Sequence, residues 1–285
     1  MNDILHNEGP IGVFDSGYGG LTILEGIRDR LPQYDYIYLG DNARAPYGTR
    51  SFDVVYEFTR QAVLRLFELG CPLVILGCNT ASAKALRSIQ ENDLPSDKSR
   101  RVLGIIIPTA EVVGELTSSR HVGILATEGT IRSKSYNLEI TKRFPDIQVT
   151  GQACPMWVPL VENNKADSLG ADFFVNENIE QLMMADPCID TIILGCTHYP
   201  ILLPKIEAHL KPGVRVVCQG KYVAESLSNY LQRHPEMEQR CSRNREDGYG
   251  NVRYLSTESA EIFNERARIF LREEEVNAEH IDLVG

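Results

Sequence analysis

The chain has 285 residues, enough for about two domains. With 43% hydrophobic, 8% aromatic and 24% charged residues it fits an ordinary globular profile, which excludes a disulfide miniprotein or a fibre. Lys plus Arg number 29 against 39 Asp plus Glu, a formal charge of −10, so binding driven by a nucleic-acid backbone is disfavoured and a small molecule is the expected partner.

The segment Met1 to Pro10 holds two acids and no apolar core, so it does not read as a secretory signal. No apolar run approaches the roughly 20 residues that span a bilayer. The seven cysteines, Cys71, Cys78, Cys154, Cys188, Cys196, Cys218 and Cys241, are scattered without framework spacing, which predicts free thiols in a reducing compartment. A soluble cytoplasmic protein without a membrane partner is expected.

Ile11-Gly-Val-Phe14 reads as a strand that breaks at Asp15-Ser-Gly-Tyr-Gly-Gly20 into a helix carrying Leu21, Leu24 and Ile27 at helical spacing. Tyr36-Ile-Tyr-Leu39 is a second strand, ending at Gly40-Asp41-Asn42. Val54, Val55, Phe58, Ala62, Leu66 and Leu69 predict a helix over Ser51 to Leu69, with Gly70 where a terminating glycine belongs. Leu73-Val-Ile-Leu76 is a fully apolar strand that breaks at Gly77-Cys-Asn-Thr-Ala-Ser82. Such strands alternating with helices predict a parallel sheet covered on both faces.

The plan then repeats. Ile11-Gly-Val-Phe-Asp-Ser-Gly17 resembles Val122-Gly-Ile-Leu-Ala-Thr-Glu-Gly129, and Ile75-Leu-Gly-Cys78 recurs letter for letter as Ile193-Leu-Gly-Cys196. Two strand-end motifs in the same order at nearly the same offset are what a duplicated domain would leave. Beyond residue 220, Tyr222 to Gln232 reads as a helix and the charged Arg233 to Gly250 as a long irregular loop. Val252-Arg-Tyr-Leu-Ser256 is one more strand, followed by a helix from Ser259 to about Arg272. These pieces are too few for a third domain and are expected to return to the first. The expected division is therefore 1–107 plus 222–285, and 108–221.

In an open parallel sheet, ligands sit at the carboxyl ends of the strands. There stand Asp15-Ser16, Asp41-Asn42, Cys78-Asn79-Thr80, Thr127 to Thr130 and Cys196-Thr197-His198. If the halves face each other, Cys78 and Cys196 lie at equivalent strand ends across a cleft. A cysteine after Ile-Leu-Gly can simply be the last packed residue of a strand. Cys78 and Cys196 differ from the other five in being followed at once by donors, at a turn where a helix N-terminus would lower a thiol pKa from about 8.5 toward neutrality. His198 reads either as a packed histidine or as a group that orients a thiol. Asp15 reads either as a helix N-cap or as a site residue. Glu162 is, on pattern alone, a solvated charge.

No paired ligand spacing supports zinc, no lysine stands beside a phosphate cradle for pyridoxal phosphate, and Gly17-Tyr-Gly-Gly20 lacks the third spacing of a dinucleotide loop. Neither a metal nor a cofactor is expected.

Taken together, Asp15-Ser-Gly-Tyr-Gly-Gly20, Asp41-Asn-Ala-Arg-Ala-Pro-Tyr-Gly48, Cys78-Asn-Thr-Ala-Ser82, Cys154-Pro-Met-Trp-Val-Pro-Leu-Val-Glu162 and Gly195-Cys-Thr-His-Tyr-Pro200 resemble the glutamate racemases of the aspartate/glutamate racemase family. The resemblance implies a cofactor-independent isomerase that interconverts L- and D-glutamate and supplies the D-isomer for peptidoglycan. It implies two doubly wound, flavodoxin- or Rossmann-like αβα domains related by pseudo-twofold symmetry, with the site in the interdomain cleft, and by analogy a homodimer. Carried over by position, Cys78 and Cys196 are the acid/base thiols. Asp15, Ser16, Tyr47, Gly48, Asn79, Thr80, Thr197 and His198 bind substrate, with Asp15 also serving Cys78 while Glu162 and His198 serve Cys196. The chain departs from the pattern at Gln219-Gly220, where an Asp-Ser pair is common, and at Gly77, where Ala is common. Neither departure is expected to touch the catalytic set. The competing readings are a racemase of another acidic amino acid such as aspartate, a hydrolase with a cysteine nucleophile, and a silent amino-acid-binding module.

Overall fold

The computed structural model describes residues 8–95, 97, 99–244, 248–271 and 276–283. In chain order the first part runs β1 (Ile11–Asp15), α1 (Leu21–Arg30), β2 (Tyr36–Gly40), α2 (Phe52–Glu68), β3 (Leu73–Leu76), α3 (Asn79–Lys84), α4 (Leu86–Ser88) and β4 (Arg101–Gly104). The middle runs α5 (Ile106–Leu116), β5 (His121–Ala126), α6 (Glu128–Ser133), α7 (Ser135–Arg143), β6 (Gln148–Ala153), α8 (Trp157–Glu162), α9 (Leu169–Ala185), β7 (Thr191–Gly195), α10 (Leu203–His209) and β8 (Arg215–Val217). The last part holds α11 (Gly220–Arg233), α12 (Pro235–Glu238), β9 (Val252–Ser256), α13 (Ala260–Ala267) and β10 (Ala278–His280).

All the paired strands are parallel, in two sheets ordered β10-β9-β2-β1-β3-β4 and β6-β5-β7-β8. The order 2-1-3-4 of the first sheet is repeated as 6-5-7-8 in the second. The two segments that match within the sequence are thus β1 with β5 and β3 with β7, the central pair of each sheet. Every residue of β1, β3 and β7 is buried, because helices cover both faces of each sheet. One apolar cluster joins Ile11, Val13 and Tyr38 of the first sheet to Leu125, Leu194 and Tyr199 of the second part. Separate clusters fill the outer faces.

Local signals set the helix ends. The Ser51 hydroxyl caps α2 by accepting the Val54 N–H, and Gly70 follows that helix at φ +92°, a conformation that side chains other than glycine rarely adopt. Asp15 is not the cap of α1. That helix begins at Leu21, and the Asp15 carboxylate instead folds back to accept the Gly17 N–H at 2.8 Å.

Two expectations change. Residues 233–250 are not simply an irregular loop: α12 lies there, and Cys241 and Arg243 form bridges to Gly9 and Tyr34. Glu238 accepts bonds from Tyr34 and Arg243, which fastens this segment to the amino-terminal ends of β1 and β2 in the first sheet. Residues 245–247 of it lie outside the described residues, as do residues 1–7. The helix expected from Ser259 to Arg272 ends as α13 at Ala267, and Arg272 is also outside the described residues. No helix among the described residues is long and apolar enough to cross a membrane.

Candidate functional site

The carboxyl ends of β1, β3, β5 and β7 converge on a cleft of ≈ 390 Å³ between the two sheets. Of the residues singled out in the sequence, Ser16, Tyr47, Gly48, Cys78, Asn79, Thr80, Glu162, Cys196, Thr197 and His198 line it. Asp15 does not. It is 1% exposed and lies behind Ser16, within reach of Thr197 Oγ1 at 3.5 Å.

Cys78 follows β3 and caps α3, its sulfur accepting the Ala81 N–H at 3.4 Å and lying 3.3 Å from Ser16 Oγ. The helix N-terminus expected from the sequence is present, but the low thiol pKa expected with it is not. Burial and the neighbouring Asp15 charge push the Cys78 thiol up to about 12, outweighing the bonds from Ser16 and Ala81. Burial likewise raises Asp15 to about 6, against the pull of His198 and of the Gly17 and Gly20 N–H groups.

Cys196 follows β7 and leads into a 3-10 turn at Tyr199–Leu202 rather than a regular helix. His198 lies between two partners, with Nδ1 3.9 Å from the Cys196 sulfur and Nε2 2.9 Å from Glu162 Oε1. Burial alone would lower the imidazole's pKa. The bonds to Cys196 and Glu162 reverse that and lift it to about 10, so His198 is a cation at neutral pH. Glu162, which the sequence pattern alone reads as a solvated charge, comes off the end of α8 to face it.

The remaining side chains are held from both halves. Tyr47 donates to the buried Asp41, which also accepts from Arg44 at 2.7 Å and from Thr257 at 2.9 Å. Thr80 Oγ1 lies 3.0 Å from Thr127 Oγ1, and the Gly129 N–H donates to the Gly48 carbonyl at 2.9 Å, so the two halves touch at the rim of the cleft. Asn79 is bonded to Gln219 and Tyr136, both buried. Gln219 thus reaches Asn79, one of the candidate substrate-binding residues, from the start of α11, which packs on α1 and α5. Asp41 was legible as a strand-end acid. Tyr136 carried no sequence signal, since its position on the inner side of α7 reads as core.

Among the described residues, His121, Asp186 and Cys188 form the one group whose donor atoms could meet around a metal ion. It lies at the opposite end of the second sheet, where β5 begins. There the Asp186 carboxylate is within 3.3 Å of His121, Gln148, Thr150 and the Cys188 N–H. Those bonds account for it as a structural hydrogen-bonded cluster.

The family model for Asp/Glu/hydantoin racemases matches residues 21–227 of this chain. A glutamate racemase of Ruegeria sp. (strain TM1040) is 40% identical over 274 residues, covering 93% of this chain and 97% of that protein. The crystal structure of a glutamate racemase isoform from Bacillus anthracis superposes with a TM-score of 0.87 at 32% identity, covering 98% of this chain and 99% of that one. The glutamate racemase of Francisella tularensis, solved in complex with D-glutamate, gives a TM-score of 0.85 at 32% identity over the same shares.

Proposed function

We infer the mechanism from one premise: the chain belongs to the Asp/Glu/hydantoin racemase family. It is a glutamate racemase, an isomerase that interconverts L- and D-glutamate. We propose Cys78 and Cys196 as its two acid/base groups. The observation that carries this reading is that β3 and β7, equivalent strands of two repeated sheets, end in thiols that line one cleft.

Inverting a stereocentre by proton transfer requires a base on one face of the α-carbon and an acid on the other, since a single base tends to return the proton to the face it left. One thiolate removes the α-proton and becomes a thiol. The opposite thiol delivers its own proton to the resulting carbanion and becomes a thiolate, so the two cysteines exchange protonation states with each turnover. Which thiol abstracts depends on the enantiomer: the base is the cysteine on the face that bears the α-proton, and the roles reverse for the other enantiomer.

Charge that develops on the carbanion spreads into the α-carboxylate, where preorganised donors stabilise it. Ser16, Asn79, Thr80 and Thr197 supply donors on this reading, and Tyr47 and Gly48 close the side of the pocket. Asp15 acts from behind, on Cys78 and on Thr197. Excluding water from the filled cleft strengthens each of these contacts. From the same resemblance we place the enzyme in the cytoplasm as a homodimer that supplies D-glutamate for peptidoglycan.

The test is α-proton exchange in heavy water, started separately from L- and D-glutamate, with circular dichroism following inversion. Wild type is expected to invert both without added cofactor. Cys78→Ser and Cys196→Ser each lose inversion, and each retains exchange of one enantiomer only, with opposite preference. If both variants still invert, or if neither substrate exchanges with wild type, the two-thiol reading is wrong. L-Aspartate in the same assay measures the side-chain preference.

A further inference from the structure

The bonds around Asn79 form a closed network whose polarity is set at one backbone carbonyl. Gln219, the residue before α11, places its Nε2 3.1 Å from the Ile105 carbonyl, 3.0 Å from Thr109 Oγ1 and 2.8 Å from the Tyr136 hydroxyl. The Thr109 hydroxyl donates to the Ile105 carbonyl, and the Tyr136 hydroxyl donates to Asn79 Oδ1 at 2.6 Å. Both oxygens have thus committed their own hydrogens and can only accept from Gln219. The other end of the Gln219 amide, Oε1, accepts from Asn79 Nδ2 at 2.6 Å. Asn79, Tyr136, Thr109 and Gln219 are all buried.

A backbone carbonyl cannot reverse its polarity. If the Gln219 amide turned over, its oxygen would face the Ile105 oxygen, bringing two buried acceptors together with no hydrogen between them. Gln219 is therefore held with its nitrogen toward Ile105. Asn79 must then meet it with a nitrogen, and Tyr136 must meet Asn79 at the oxygen. One N–H of the Asn79 amide remains, on a residue that lines the cleft.

We propose that Gln219 is a positioning residue: through Tyr136 and the Ile105 carbonyl it fixes the amide of Asn79 so that a donor, and never an acceptor, is presented to the substrate's carboxylate. This rests on the reading of Asn79 as a substrate-binding residue. It also gives the departure Gln219-Gly220 a function in this chain. Ile105 and Thr109 stand at the start of α5, where the chain passes from the first sheet toward the second, so the orientation of a first-half residue is set from the junction and the second half.

The experiment is steady-state kinetics in both directions for Gln219→Met, which keeps the length and removes both polar ends, alone and combined with Asn79→Ala. The single variant is expected to lose about tenfold in kcat/KM for both enantiomers, mostly through KM, and to lose less than twofold when Asn79 is already Ala. Tyr136→Phe, a milder change, should raise KM about threefold and should likewise have no further effect beside Asn79→Ala; it serves if Gln219→Met fails to fold. An unchanged KM in the Gln219 and Tyr136 variants, with only a lower Tm, overturns the proposal and leaves Gln219 as scaffold. The same loss in both backgrounds also overturns it, because Gln219 would then act other than through Asn79. If Asn79→Ala by itself leaves KM unchanged, the reading of Asn79 is what fails, and the positioning role falls with it.

Discussion

His198 is a cation held between the Cys196 sulfur and a carboxylate, and its titration has a definite sign. Its pKa in the folded chain, about 10, lies above the ordinary 6.5 because the bonds to Cys196 and Glu162 outweigh the lowering effect of burial. A pKa raised by folding contributes stability that is fully present below 6.5 and is lost as pH rises through about 10. Cys78, raised by burial from 9.0 to about 12, adds a second loss that begins near pH 9. Glu162→Gln removes the charge that helps hold the His198 proton. The alkaline fall of kcat/KM should then begin at lower pH than in wild type, and Tm should fall less between pH 7 and 9, because the folded and unfolded pKa values of His198 lie closer together. An alkaline limb that does not move would show that Glu162 has no part in holding that proton. The two thiols were legible in the sequence because each stands at a strand end with polar neighbours. Glu162 was legible only through the family resemblance, not from pattern, since its partner is 36 positions away and the packing of α8 against the β7 turn brings them to 2.9 Å.

Between elements, the approach of α1 and α11 governs the same region. A Cβ at Gly26 would lie 2.8 Å from the backbone carbon of Gly220 and 2.9 Å from its oxygen, so neither helix can yield without moving its main chain. Gly26→Ala is expected to destabilise the protein by about 1–3 kcal/mol, the usual cost of overpacking. Because Gly220 adjoins Gln219, the same change should raise KM, whereas a purely structural effect would lower Tm alone. Thermal melts and kinetics on one preparation separate the two. The central strands were readable because they are apolar throughout. The edge strands were not: β6 reads Gln-Val-Thr-Gly-Gln-Ala, partly exposed and without alternation, and β8 and β10 are three residues each. The α12 region was misread because its polarity marks a surface, and a surface segment tied down by Glu238 and Ser242 has the same composition as a loose one.

The whole molecule bears a formal charge of −10 and takes a substrate with two carboxylates. Its general field is therefore repulsive, and local cations must offset it. Arg266 is the one arginine or lysine among the described residues that line the cleft, where Glu128, Glu162 and Glu258 also stand. Arg266→Gln is expected to raise KM several-fold at low ionic strength. The difference should shrink at about 0.5 M salt, where the screening length is only a few ångströms. Equal KM values for the two proteins at low salt would remove Arg266 from substrate capture.

The repeat within the sequence foretold the paired sheets, yet the way they are joined has a consequence of its own. The described chain starts against the six-stranded sheet at Gly9 and ends beside β10 of that same sheet, while the four-stranded sheet is built wholly from chain between β4 and β9. Tension applied between the two ends is borne by contacts within the six-stranded sheet. The four-stranded half hangs outside that line of force and feels no load until the first half has torn open. A molecule whose candidate site lies between two halves is thus expected to give way under a mechanical pull one half at a time, the six-stranded half first.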